Sequence, residues 1–305
     1  MKILLTGCAG FIGYHLCNKL LKKNYFVLGI DNLDPYYDVK LKKNRIKDLK
    51  NNKKFTYFNF DLNNKKKIEN IFKKNKIKIV IHLAAQAGVR YSIIKPEQYL
   101  KSNVDAFFNI LDASRIFNIK HFIYASSSSV YGSAKSYPTD ENAQTDKPLS
   151  FYAATKKSNE IFAYAYSNIY KLPTTGLRFF TVYGPFGRPD MSIFKFVKAN
   201  LSKNKIELFN GGNHIRDFTY IDDTVDAVFS IIQKPKKGKL PFQILNISGG
   251  SSFQLREVLK IIKSINKISF IVKKLPIQKG DVIKTHASIN SIKKITGFKP
   301  KHNIK

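Results

Sequence analysis

The 305-residue chain is 43% hydrophobic, long enough for a sizeable core in one large or two smaller domains. Its formal charge of +32 comes from 53 Lys and Arg against 21 Asp and Glu, but only seven are Arg (45, 90, 115, 178, 188, 216 and 256), and the Lys are spread along the whole chain. That bias fills solvated positions generally, so anionic small ligands are expected and nucleic acid is not, and no apolar run reaches membrane-spanning length.

Lys2 to Leu5 reads as a short apolar strand running into Gly7-Cys8-Ala9-Gly10-Phe11-Ile12-Gly13, after which Tyr14 to Lys23 has helical spacing. The glycine turn arrives too early for a secretory signal, and a cytoplasmic protein is expected. Strand, glycine turn and helix in that order open a dinucleotide-binding unit. Gly7 permits the tight turn, Gly10 lets backbone approach a pyrophosphate, Gly13 allows close helix packing, and free N–H groups at the helix start take phosphate. The spacing is GxxGxxG, a variant of the commoner GxGxxG. Cys8 and Cys17, with no second pair and no His at zinc-binding spacing, read as small buried residues without a disulfide. Tyr25 to Ile30 is a second strand ending in Asp31-Asn32. A carboxylate about 20 residues past the glycines binds a ribose 2′-hydroxyl and repels a 2′-phosphate, so the expected cofactor is NAD rather than NADP.

Asp34-Pro35-Tyr36-Tyr37 opens a loop, followed by a Lys-rich helix to about Lys50. Phe55 to Phe60 is a strand ending in Asp61-Leu62, placed to flank an adenine. Ile77 to Leu83 is nearly continuously apolar, the mark of a strand buried on both faces. It runs into Ala84-Ala85-Gln86-Ala87-Gly88-Val89-Arg90, where small residues leave room for a cofactor. Arg90, just beyond, is a candidate for a ligand phosphate. Pro96 to Asn118 carries a long helical pattern, and His121 to Ala125 is another strand, ending in Ser126-Ser127-Ser128-Ser129 with its four hydroxyls directed at the same crevice.

Leu149 to Tyr170 is helical in spacing and holds Tyr152-Ala153-Ala154-Thr155-Lys156. Four residues apart means one face, and an ammonium one turn from a phenol favours the phenolate. Tyr152 is therefore a candidate acid/base. With the serine strand it suits a Ser/Tyr/Lys constellation: the hydroxyl binds the reacting oxygen, the phenolate takes its proton, and the ammonium holds phenolate and nicotinamide ribose.

Glycine loop, Asp31, serine run and YxxxK together resemble the extended short-chain dehydrogenase/reductase superfamily. Asp34 to Lys42, Leu83 to Ser92 and Arg178 to Met191 are similar to the UDP-glucuronate 4-epimerases within it. The resemblance implies an α/β fold: a Rossmann doubly wound parallel sheet with a smaller, discontinuous α/β lobe. It divides the chain into an NAD-binding part, 1–180 with 222–248 returning to it, and a substrate lobe, 181–221 and 249–305. It implies NAD held by Gly7, Gly10, Phe11, Ile12 and Gly13, by Asp31 and Asn32, by Asp61 and Leu62, by Leu83, Ala84 and Ala85, and by Tyr152 and Lys156. The implied activity is C4 epimerisation of a UDP-hexuronic acid by transient oxidation, turnover of the 4-keto sugar and hydride return. Tyr152 is then the acid/base, Lys156 its assistant and Ser127 the ligand of the C4 oxygen, with Ser128, Ser129 and Thr181 near the sugar carboxylate. Dehydratases of the superfamily carry an Asp-Glu pair where Ser128-Ser129 stands, which disfavours dehydration. UDP-glucose 4-epimerisation, differing only at sugar C6, and a silent NAD-binding module are the rival readings.

In the second half, Thr174 to Phe180 is a strand, Gly184 to Pro189 a turn-rich crossing, and Met191 to Leu201 a helix. Ile206 to Asn210 and the segment after Gly211-Gly212 read as a hairpin, followed by a helix from about Asp222 to Gln233 capped by its acids. Phe242 to Ile247 is a late strand returning to the sheet, and Phe253 to Ile265 an amphipathic helix. In the family pattern Arg188 and Arg216 join Arg90 on the UDP diphosphate, and Asp281, in Lys279-Gly280-Asp281, is the candidate for the uridine ribose. His82, His121, His214 and His286 stand alone. Family members usually continue past Gly297-Phe298-Lys299-Pro300 into a last aromatic helix, so the lobe reads as shortened at its C-terminus. The expected partner is a UDP-sugar, with a homodimer as candidate assembly, and neither nucleic acid nor membrane.

Overall fold

A computed structural model of the chain describes residues 1–278 and 280–304. The first half alternates strand and helix: β1 (Lys2–Thr6), α1 (Phe11–Lys22), β2 (Phe26–Ile30), α2 (Val39–Leu49), β3 (Phe55–Phe58), α3 (Lys65–Lys74) and β4 (Ile77–His82). Two single turns, α4 (Tyr91–Ile94) and α5 (Pro96–Tyr99), lead through a π-helical stretch, Leu100–Asp105, into α6 (Ala106–Ile116). The long helix expected over 96–118 is thus one rod with a widened middle. The bulge turns Asn103 inward, where its side chain binds both backbone groups of Gln86, at 2.7 and 3.0 Å, and the Thr155 hydroxyl at 3.1 Å. Next come β5 (His121–Ser127), α7 (Phe151–Tyr170) and β6 (Thr174–Phe179).

With β10 (Phe242–Ile247), these strands make one seven-stranded parallel sheet in the order β10-β6-β5-β4-β1-β2-β3. The period of two sends neighbouring residues to opposite faces. Ile3, Leu5, Ile79, Ile81 and Ile123 join one core, while Leu4, Val80, Phe122 and Tyr124 join the other. Both faces are covered by helices, which is why these strands lack polar alternation. Strand order reverses between β1 and β4, opening a crevice at their C-terminal ends where the glycine loop and the Ala84-Ala85 segment meet.

The rest of the chain builds β7 (Thr181–Tyr183), α8 (Ser192–Leu201), β8 (Lys205–Phe209), β9 (Ile215–Tyr220), α9 (Ile221–Ile231), β11 (Ser252–Gln254), α10 (Leu255–Asn266), β12 (Ile271–Leu275) and α11 (Asn290–Thr296). Phe196, Ile206, Leu208, Phe218, Val258, Leu259 and Ile262 form a separate small core. The hairpin expected after Ile206 does not form. β8 pairs in parallel with β12, and β9 lies between β7 and β11. Positive φ at Asn210, Gly211 and Gly212 carries the chain out of β8 in a helical turn instead of folding it back. The acids Asp222 and Asp223 stand in the first turn of α9, as the helix dipole favours, but make no capping hydrogen bond there. The helix begins at Ile221, and Asp223 accepts the backbone N–H groups of Lys301 and His302, at 3.0 and 2.9 Å, pinning the chain's end. Among the described residues no helix is long and apolar enough to cross a membrane. Cys8 and Cys17 are free and buried.

One buried carboxylate knits the small lobe together. Asp217 on β9 accepts from the Ser248 hydroxyl at 2.6 Å and from Ala287 N–H at 2.9 Å. Burial nevertheless pushes it up to about 7. A carboxyl whose folded value lies above its unfolded one gives stability that is complete at low pH and lost as pH rises through the folded value. Stability is therefore expected to fall between about pH 4 and pH 7, a tenfold change in proton affinity corresponding to about 1.4 kcal/mol. Thermal unfolding against pH checks this: Asp217→Asn flattens that slope, and an unchanged slope contradicts the assignment.

Candidate active site

The glycine loop is built for close approach. Gly7 has φ +74, and a Cβ there would sit 2.7 Å from Ala84 N; at Gly13 it would overlap the Gly7 carbonyl oxygen. The backbone of 7–13 therefore lies bare at the start of α1, with Gly10, Phe11 and Ile12 also on the crevice wall. Asp31, at the end of β2, accepts Ala9 N–H at 3.0 Å and Leu33 N–H at 2.9 Å. Burial pushes its carboxyl up, and those amides with Lys42 and Arg45 pull it back. Asn32 donates to Asp61 at 3.1 Å. Burial of Asp61 is outweighed by bonds from Asn63 and Asn32, which hold it below its ordinary value. Leu62, Leu83, Ala84 and Ala85 complete this end of the cavity. Bare loop, ribose-facing carboxylate and apolar slot fit a dinucleotide without a 2′-phosphate.

α7 starts where Ser150 caps it, its hydroxyl accepting Ala153 N–H at 3.1 Å. This sets Tyr152 in the first turn and Lys156 one turn deeper. Tyr152 stands edge-on to Tyr99 with ring centroids 6.1 Å apart. Burial pushes the phenol up, and the groups that oppose this are the Ser127 hydroxyl and the Arg188 guanidinium. Lys156 is drawn by burial to about 7, and its Nζ donates to the Ala125 carbonyl at 2.9 Å. Desolvation therefore favours the neutral form of each group. The four serines also divide. Ser126 turns to Glu160 at 2.7 Å, while Ser127 bonds Ser129 at 3.2 Å and faces Tyr152. Ser128, Ser129 and Thr181 line the same cavity.

The three arginines do not form one cluster. Arg90 and Arg216 gather around Asp281: Arg90 reaches it at 3.1 Å and stacks 4.4 Å over the Phe209 ring, and Arg216 donates to the Ile283 carbonyl at 3.1 Å. His214, read as solitary, lies 3.9 Å from Asp281. Arg188 is clamped by Asp190 through Nε at 3.0 Å and through Nη2. Burial works against its charge, Asp190 more than offsets this, and Tyr36 and Tyr152 are its other neighbours. It belongs to the Tyr152 end. The Tyr36 hydroxyl also donates to Asp190, at 3.3 Å.

Sequence reasoning passed over Arg45. It is fully buried on α2, donating to the Ala9 carbonyl at 2.8 Å, the Tyr37 hydroxyl at 3.0 Å and the Phe186 carbonyl. It ties the glycine loop to the turn that carries Arg188. Its position on the apolar side of a Lys-rich helix was the available signal. Lys42, Tyr36, Gln86 and Asp190 also line the cavity without having been singled out.

Comparison with known proteins agrees with this geometry. The model of the NAD dependent epimerase/dehydratase family matches residues 3–248. The chain is 45% identical to protein CapI of Staphylococcus aureus over 320 residues, covering 100% of this chain and 95% of that protein. It is 40% identical to a UDP-glucuronate 4-epimerase of Thermodesulfobacterium geofontis over 302 residues, 99% of this chain and 92% of that one. The fold is similar to that of UDP-glucuronic acid 4-epimerase from Bacillus cereus in complex with UDP-glucuronic acid and NAD: TM-score 0.94, 33% identity, 100% of this chain and 95% of that. A bare glycine loop beside Tyr152 and the buried Lys156, matched over residues 3–248 and by relatives along nearly their whole length, leaves one conclusion: the chain belongs to the NAD dependent epimerase/dehydratase family.

Proposed function

We propose that the protein interconverts UDP-glucuronate and UDP-galacturonate by NAD-dependent epimerisation at C4. The observation that carries this reading is one continuous cavity of about 1470 Å³, running from the glycine loop and Asp31 past Tyr152 to Arg90 and Arg216. A pocket for one drug-sized ligand is roughly 300–1,000 Å³, so this volume suits a dinucleotide and a sugar nucleotide together. The named relatives and the Bacillus cereus complex support the choice of sugar.

In this reading Ser127 donates a hydrogen bond to the C4 oxygen, and Tyr152 takes the C4 hydroxyl proton and later returns it. Lys156 assists Tyr152 and holds the nicotinamide ribose. Bound NAD supplies a hydride acceptor and donor at C4. Arg90 and Arg216 hold the diphosphate by charge-assisted bonds, fixing one end of the substrate while the 4-keto sugar turns over and presents its other face. A 4-keto uronate is a β-keto acid that can lose CO2. The hydroxyls of Ser128, Ser129 and Thr181 hold its carboxylate, while the charge of Arg188 is engaged by Asp190. The separate small core supports a substrate lobe built from 181–221 and the stretch from 249 to β12, whereas Ile292 and Phe298 near the end of 249–305 pack into the core of the large sheet.

Purified protein given UDP-glucuronate without added NAD should yield a mixture with UDP-galacturonate, followed through the anomeric protons by NMR. UDP-xylose as main product would mean that decarboxylation wins, and conversion of UDP-glucose alone would replace the uronate with a hexose. Either result overturns the proposal.

A further inference from the structure

We propose that the buried Glu160–Arg178 ion pair is the positioning element of the active site, setting Tyr152 against Ser127 and balancing the field at the Tyr152–Lys156 pair. The proposal rests on the reading of Tyr152 and Lys156 given above. Tyr152, Lys156 and Glu160 are spaced four apart and share one stripe of α7. The last three residues of β5 each meet one of them. The Ala125 carbonyl takes Lys156 Nζ at 2.9 Å, the Ser126 hydroxyl donates to Glu160 Oε1 at 2.7 Å, and Ser127 faces Tyr152. Across the ladder from Ser126 is Arg178 on β6. Its guanidinium grips the same carboxylate twice, Nε to Oε1 at 2.9 Å and Nη2 to Oε2 at 2.8 Å. Its remaining arm donates to the Glu141 carbonyl at 3.0 Å, and its plane lies 4.7 Å over the Tyr131 ring.

One buried point therefore fixes the height of α7 on β5 and the course of β6 towards Thr181. Stability alone does not account for it, since a buried ion pair exchanged for apolar side chains is often neutral or stabilising. A fixed register does: Glu160 is 3% exposed, as are Ser126 and Arg178, and no water competes for these bonds. The charged and titratable groups around the assembly are few. Arg188 and Tyr99 face Tyr152, and His82 faces Lys156. Tyr124, Tyr131 and Lys157 face the ion pair, Lys157 at 3.7 Å from Glu160.

The test uses the NAD-loaded protein and a readout that needs no substrate: titration of Tyr152 by tyrosinate absorbance, taken as the difference between each protein and its Tyr152→Phe counterpart. Glu160→Gln keeps the shape and the acceptor for Ser126 but leaves Arg178, which cannot deprotonate, unpaired about 12 Å along the helix from Tyr152. The Tyr152 titration should fall by about one pH unit. The double variant Glu160→Gln, Arg178→Met removes the stray charge and should bring it back to the wild-type value or above. In the double variant, kcat should drop about tenfold with KM within twofold. An unmoved titration in Glu160→Gln, or full kcat in the double variant, overturns the proposal. Should Glu160→Gln fail to fold, the double variant decides through kcat against KM. Failure of wild type to turn over any UDP-sugar would refute the functional reading and leave the titration result standing.

Discussion

Tyr152→Phe is expected to lower kcat by about 10³-fold, with KM for UDP-glucuronate within about threefold of wild type and bound NAD retained. The ring is held by its edge-on contact with Tyr99 and by the Ser150-capped turn beneath it, so removing one hydroxyl leaves the packing in place. What is lost is the group that carries the C4 proton. That interaction strengthens only as the proton moves, and losses of this kind appear in kcat. The pH dependence follows from the same burial. The phenol is pushed up, so the competent phenolate is a minority at neutral pH, while Lys156 is drawn to about 7. Wild-type kcat should therefore climb with pH, with apparent values that belong to the pair, while the residual rate of the Phe variant stays flat. Steady-state kinetics with cofactor content measured in the same sample settles it. A variant within tenfold of wild type at every pH would move proton transfer to another group.

Much of the fold was written in local pattern. Ile77 to Leu83 is nearly continuously apolar, the mark of a strand covered on both faces, and the glycines of 7–13 follow a strand and open a helix. What escaped depended on distant pairing. β8 looked like half a hairpin because its partner β12 comes more than 60 residues later, with α10 in between, and nothing local marks a parallel match. The site shows the same boundary. Gly7, Asp31, Tyr152 and Lys156 were visible through spacing and Ser127 through the family resemblance, yet spacing is silent on desolvation, which pushes the Tyr152 phenol up and draws Lys156 down. Arg188 was grouped with Arg90 and Arg216 through the family pattern. Asp190, two positions on, takes it instead, while Asp281 draws the other two together. The role of Arg45 was hard to read, beyond its place on the apolar side of α2, because each of its three partners lies on a different segment.

Gly13→Ala should destabilise the protein by about 3 kcal/mol and empty the cofactor site. Helix propensity runs the other way, since Ala inside α1 gains up to about 1 kcal/mol over Gly. Sterics must therefore overcome a local benefit. The added methyl would overlap the Gly7 carbonyl oxygen, stand 2.9 Å from the Gly7 carbonyl carbon and 3.1 Å from Cys8 Cα, all backbone that cannot swing aside. The loop has to lift, and two bonds lift with it: Ala9 N–H to Asp31 at 3.0 Å, and Arg45 to the Ala9 carbonyl at 2.8 Å. The first orients the ribose carboxylate and the second ties the loop to the Arg188 turn, so the strain spreads to both ligands' ends of the cavity. Gly238→Ala makes the control. Its φ of +100 strains any side chain, but no atom lies within 4 Å of the added methyl. It should cost about 1–2 kcal/mol through backbone alone and keep its NAD. Thermal unfolding and the NAD-to-protein ratio, measured on both variants, separate general destabilisation from loss of the loop. If Gly13→Ala keeps a full complement of NAD, the crossing of α1 over the Gly7 carbonyl is not what shapes the pyrophosphate site, and the bare backbone at Gly10 must hold it alone.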